Sequence, residues 1–193
     1  MAVVTRPIAI VGALALVALA FVVARTEPQE ELGFAPFAVR VEPGQVGEGR
    51  GLRGAVDDAV LADSVHLDDW TGATSGSWLV VQVRMEATEN PTLAFATLHV
   101  GDRTWVASNR PGSDAMHSTV LDPGLPFAGS FVFEIPSELV EEGAARTAVV
   151  RLADGSDARL RTVIEAELDL TVLEHETDFE IAPQERVWWG SER

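Results

Sequence analysis

The chain has no cysteine, no tyrosine and no lysine among its 193 residues. Without cysteine there is no disulfide framework, no thiolate nucleophile, no thiolate zinc site and no lipobox for lipid attachment. Any folded part must be stabilised by its core alone, which is feasible at this length. Positive charge is also scarce: 14 arginines stand against 30 acidic side chains. The imbalance lies outside the N-terminal segment, since from Pro28 onward 12 arginines face 29 carboxylates, a net charge of −17. A domain this acidic repels phosphate backbones and anionic headgroups, so a nucleic-acid partner is not expected. High negative charge also favours solubility, which is reason enough for much of it.

Catalytic signatures are missing too. No G-x-S-x-G elbow precedes a helical pattern, and no glycine-rich phosphate loop follows a strand pattern. His66, His99, His117 and His175 do not pair with one another at zinc-ligand spacing. No catalytic residues and no cofactor are expected from this pattern.

What the chain does have is one long apolar run. Residues 7–24, PIAIVGALALVALAFVVA, carry no charged side chain across 18 positions. As a helix they would reach about 27 Å, close to the hydrocarbon thickness of about 30 Å. Thr5 suits an N-cap, and Pro7 suits the first turn, where its missing N–H costs nothing. Arg6 and Arg25 bracket the run and can snorkel to the two interfaces. The expectation is one N-terminal transmembrane helix that tethers a single-pass protein to the cell membrane, with its C-terminal domain extracytoplasmic. The competing reading is a cleaved signal peptide, with A-x-A at Ala18-Leu19-Ala20 or a site at Val22-Val23-Ala24.

Residues 26–36 are charged and contain proline, and read as a stalk. Period-two alternation then dominates. Strands are expected at 37–41, at 51–65 with a bulge near Asp57-Asp58, and at 78–88. In the last of these Leu79, Val81, Val83, Met85 and Ala87 share one face, while Gln82, Arg84 and Glu86 share the other. Further strands are expected at 93–100, 104–109, 127–135, 147–153 and 158–173, the last bent near Glu165. The stretch 66–77 reads as a loop. Gly101-Asp102-Arg103 reads as a hairpin turn and Asp122-Pro123-Gly124 as a tight turn. The pattern fades after 173, so 174–193 reads as an irregular tail. About eight short strands at this spacing predict an all-β, immunoglobulin-like β-sandwich over 37–173, behind an anchor at 1–25.

The segments WLVVQVRMEATENP, LHVGDRTW and LDPGLPFAGSFVFEIP, in that order, carry a resemblance. Pro123-Gly124 followed by Phe131-Val132-Phe133-Glu134-Ile135-Pro136 is its most telling piece. Over residues 52–173 the chain resembles the small Ig-like domains of bacterial lipoproteins and membrane-anchored envelope proteins, a family of unknown function that looks distantly like a secreted mycobacterial Ig-like antigen. The resemblance implies an extracytoplasmic β-sandwich and supplies no catalytic or binding residues. The chain departs from it in having no lipobox cysteine, no Ig-type disulfide and no tyrosine for a tyrosine corner.

Two clusters are candidate binding sites. Asp57, Asp58, Asp63, Asp68 and Asp69 form the densest acidic group, and carboxylates on a loop can hold calcium. The D-x-D-x-D-G spacing is absent, and a solvated acidic edge that discourages edge-to-edge pairing is the plainer account. Trp188-Trp189 form a pair of indoles in a polar tail, suited to dock a partner or a headgroup layer, or to cover an open end of the sandwich. The expected function is a non-enzymatic, membrane-anchored interaction module, an accessory subunit of a cell-envelope or transport complex with an envelope protein as partner. The alternatives are an extracytoplasmic ligand- or calcium-binding domain and a cell-wall hydrolase.

Overall fold

The computed structural model describes residues 12, 15–17, 34–67, 70–112 and 115–189. The chain divides into two compact units, 1–35 and 36–193. In the first, Gly12 and Ala15, Leu16 and Val17 are helical. Most of the apolar run 7–24 expected to form the anchor lies outside the described residues. Among the described residues no helix is long and apolar enough to cross a membrane.

The second unit is a β-sandwich. One sheet contains β1 (Phe37–Val41), β6 (Phe95–Val100), β7 (Arg103–Val106), β10 (Ala148–Ala153) and β11 (Thr162–Leu168), ordered β1-β11-β10-β6-β7. The other contains β3 (Leu52–Leu67), β4 (Trp70–Ala87), β9 (Phe127–Ile135), β12 (His175–Glu180) and β13 (Glu185–Arg186), ordered β12-β3-β4-β9-β13. The short β2 (Gly47–Gly49) extends the same edge of β3 that β12 occupies further along. A two-stranded ribbon pairs β5 (Thr92–Leu93) with β8 (Val120–Leu121). Within the two sheets, β1 with β11 and β12 with β3 run parallel, and the other pairings are antiparallel.

Alternation explains the layering. A strand turns successive side chains to opposite faces, so Leu79, Val81, Val83 and Met85 of β4 point one way and are buried. They meet Phe131, Phe133 and Ile135 of β9 and, from the facing sheet, Leu98, Val150 and Ile164. Each such side chain contributes about 1.5–3 kcal/mol on burial. The β6–β7 turn closes through Gly101, whose φ of +60° supplies the left-handed first position.

Bulges in β3 fall between Val56 and Asp58 and between Ala62 and Ser64. The first is at the paired aspartates, where an extra residue was expected.

Three expectations are corrected. The stretch 66–77 is not a loop: β3 runs on to Leu67 and β4 begins at Trp70, with 68–69 outside the described residues. Val65 and Leu67 at the end of β3 pack with Trp78 in a second apolar cluster, on the outer face of the sheet. A chain with apolar contacts on both faces shows no clean period, which hides a strand from pattern reading.

The strand expected over 158–173 is only Thr162–Leu168, and its pairing runs without a register shift through Glu165. Asp157 clasps Arg159, accepting its Nε–H at 2.9 Å and its Nη2–H at 2.7 Å. Leu160 then takes φ 55° and is exposed rather than core. At the other end Thr171 N–H donates to Asp169 Oδ1 at 2.9 Å, a side-chain turn that stops the ladder.

The tail is also more ordered than expected, since 174–189 carries β12 and β13. β12 reads as polar because it is an edge strand with wet side chains; only Phe179 of its six residues is half-buried.

Candidate functional site

β12 and β13 lie on opposite edges of one sheet. The four residues between them, 181–184, must therefore cross one of its faces. Ile181 fixes which: it is buried against Val60, Val80 and Val132 on the outer face, and its N–H donates to His66 O at 2.7 Å. The chain thus forms a strap across the outside of β3, β4 and β9. At the far edge Val187 N–H donates to Pro126 O at 2.9 Å, prolonging the short β13 ladder.

Beneath the strap is a cavity of about 650 Å³. Its floor presents Asp57, Gln82, Arg84 and Ser130. Gln82 and Ser130 face each other across the β4–β9 pairing. The roof is Phe179, Ala182, Pro183 and Val187, with Glu180 and Glu185 beside them, and Gly44 and Val46 close one side.

The floor is charge-balanced. Arg84 donates from Nε to Asp57 Oδ2 at 2.8 Å and from Nη2 to Asp57 Oδ1 at 2.6 Å. This bidentate pair is among the strong kinds of hydrogen bond, and it raises the Arg84 pKa above its ordinary value. The bulge at Asp57 is what turns an extra carboxylate outward beside Arg84.

Gly129 lets the strap and the β8 side come close at the β9 edge. A Cβ built there would lie 2.8 Å from Met116 Cγ and 3.2 Å from Gln184 Cβ. Gln184 in turn accepts from Thr119 Oγ1 at 2.8 Å. Trp189 fastens the strap's end. Its indole N–H donates to Glu86, and its ring sits under Arg53 at 4.5 Å and Arg84 at 5.4 Å.

The sequence-expected sites are placed as follows. Asp57 is held by Arg84. Asp58 is exposed and accepts from Ala59 N–H at 2.8 Å. Asp63 accepts from His175 at 2.9 Å. Asp57 and Asp63 lie roughly 20 Å apart along the strand at its usual rise, so the structure does not bring these three together. Asp68 and Asp69 lie outside the described residues. Among the described residues no group of three or more His, Asp and Glu side chains is arranged to hold a metal ion. Trp188 is 76% exposed, while Trp189 is half-buried on the sheet's outer face and does not cover an open end of the sandwich.

The histidines split into two kinds. His66 bonds Asp178 and Thr71 across the β3–β12 and β3–β4 seams. His99 lies between Thr97 and Thr104 on the outer face of the other sheet. Burial, with Arg151 nearby, lowers its pKa, and burial alone lowers that of His117.

The cavity floor was hidden in the sequence because its polar residues sit where any wet sheet face would carry them. The one available signal was Phe179 and Ile181, two apolar residues in an acidic tail.

No protein family matches the chain, and no curated protein does. A solved structure of an uncharacterized β-sandwich protein from Clostridium difficile 630 is similar to it at 11% identity. The likeness covers 74% of this chain and 99% of the other, with a TM-score of 0.49.

Proposed function

We propose that this chain is an extracytoplasmic, immunoglobulin-like ligand-binding module, tethered to a membrane by residues 7–24. The roofed cavity on the outer face of the sheet carries this reading. A sheet face with no further role would meet water directly; here a length of chain is spent on covering it, and a space of ligand size is left beneath. The test is native mass spectrometry of the full chain, extracted from its own membrane in mild detergent. A bound small molecule is expected, and it should be lost from Ala182→Trp, which fills the cavity from the roof. Retention of the same molecule by the filled variant would refute the reading.

A second reading is favoured by β12, whose outer edge pairs with no strand among the described residues. An uncapped strand edge can pair with an extended segment of a partner. Glu174, Glu176, Asp178 and Glu180 give this edge a negative character that suits a basic segment of an envelope protein. Capture of one defined partner by the full chain, abolished by Glu176→Arg and unaffected by Ala182→Trp, would favour this reading over the first.

A further inference from the structure

Gln82 and Ser130 are the uncommitted groups of the cavity floor. Ser130 is 4% exposed, and neither side chain makes a hydrogen bond among the described residues. Gln82 is half-buried, and both side chains open onto the cavity, where water meets them until a polar ligand takes its place. Asp57 neutralises Arg84 through two hydrogen bonds and Trp189 lies against the guanidinium, so the pair presents an incoming anion with little net charge. The same pairing leaves Asp57 little net charge to hold a cation. Glu180 and Glu185 on the strap are exposed, so water screens both their repulsion of anions and their pull on cations. Val46, Phe179, Pro183 and Val187 supply an apolar wall opposite the polar floor.

Taking the cavity as the binding site, we infer that its ligand is an uncharged molecule bearing an amide or hydroxyl group on one side and an apolar flank on the other. The amide of Gln82 donates and accepts, and the Ser130 hydroxyl does the same, so together they match an amide or a pair of hydroxyls. The strap covers the flank. The volume of about 650 Å³ lies within the range of pockets that enclose small ligands.

Three probes that share the leucine side chain and differ in charge separate the possibilities: neutral N-acetyl-leucine amide, the carboxylate N-acetyl-leucine, and the ammonium form of leucine amide. Each is titrated at millimolar concentration into isotope-labelled full chain in micelles, and the backbone amide resonances of Gln82 and Ser130 are followed. The neutral probe is expected to shift them most. Ser130→Ala should weaken it about tenfold, the value of one hydrogen bond. Ala182→Trp should abolish the shifts while leaving the rest of the spectrum in place. Larger shifts from either charged probe, removed by the same filling variant, would overturn the ligand class and leave the cavity as a site. Shifts that persist in Ala182→Trp, or their absence with all three probes, would overturn both.

Discussion

The indole N–H of Trp189 donates to the Glu86 carboxylate, which also accepts the Gly124 N–H at 2.8 Å. One side chain at the end of β4 therefore holds both the β8–β9 turn and the end of the strap. Trp189→Phe keeps a ring under Arg53 and Arg84 but removes the donor, whereas Trp189→Ala removes both. The alanine variant should lose about 1–2 kcal/mol, combining one hydrogen bond with partly exposed cation–π contacts. Faster hydrogen exchange at Val187 would report release of the strap. Unchanged exchange there would show that β13 holds it without the tryptophan.

Glu86→Ala should cost more than Trp189→Ala, because it also frees the Pro123-Gly124 turn. The double variant should fall short of the sum of the two singles, since both remove the same bond. Urea melts of the four proteins measure that coupling.

Gly129→Ala would place a methyl against Met116 and Gln184. The methionine can move and the strap can lift. Overpacking of this sort costs about 1–3 kcal/mol. The expected signature is a lower melting temperature together with loss of protection in β13. A melting temperature equal to that of the parent would mean that Met116 absorbs the whole insertion.

His99 and His117 both have pKa values below the ordinary histidine range, chiefly because burial disfavours their charged forms. The unfolded chain takes up protons at these positions as pH falls through about 6.5, and the folded chain resists until lower pH. Stability contributed by the neutral rings is therefore present above that pH and lost below it. Denaturant melts from pH 7.5 to 5 should show a decline that His99→Gln with His117→Gln flattens.

Asp57→Ala would leave Arg84 half-buried without its acceptor. The loss should be about 1–3 kcal/mol, the cost of an orphaned polar group. Replacing both, as Asp57→Ala with Arg84→Met, should recover much of it, because an apolar pair leaves nothing unsatisfied. Equal melting temperatures for the single and double variants would argue against that account.

The sandwich was legible where one side of a strand is dry and the other wet. Leu79 to Ala87 shows this most clearly, and β9 repeats it with Phe131, Phe133 and Ile135. The reading failed where that contrast breaks down. Val65, Leu67 and Trp78 are buried on the face that elsewhere carries Gln82 and Arg84, so one strand changes its wet side along its length. Leu160 has the right spacing for the core but follows the Asp157–Arg159 clasp, and that local turn overrides the pattern. The acidic group around Asp57 was visible as composition. What it does depends on Arg84, 27 residues away in the chain, and no spacing rule connects the two. The cavity was the least visible, because its floor and its roof come from segments separated by most of the sandwich.

The strap also imposes an order of events. The ribosome and any export channel deliver β3, β4 and β9 long before residues 181–187. Until those residues arrive, Gln82 and Ser130 remain open to solvent on a sheet that still lacks its edge strand β13. A nascent domain can pass for folded by its core while still unable to enclose a guest, and enclosure begins only when the last strand docks.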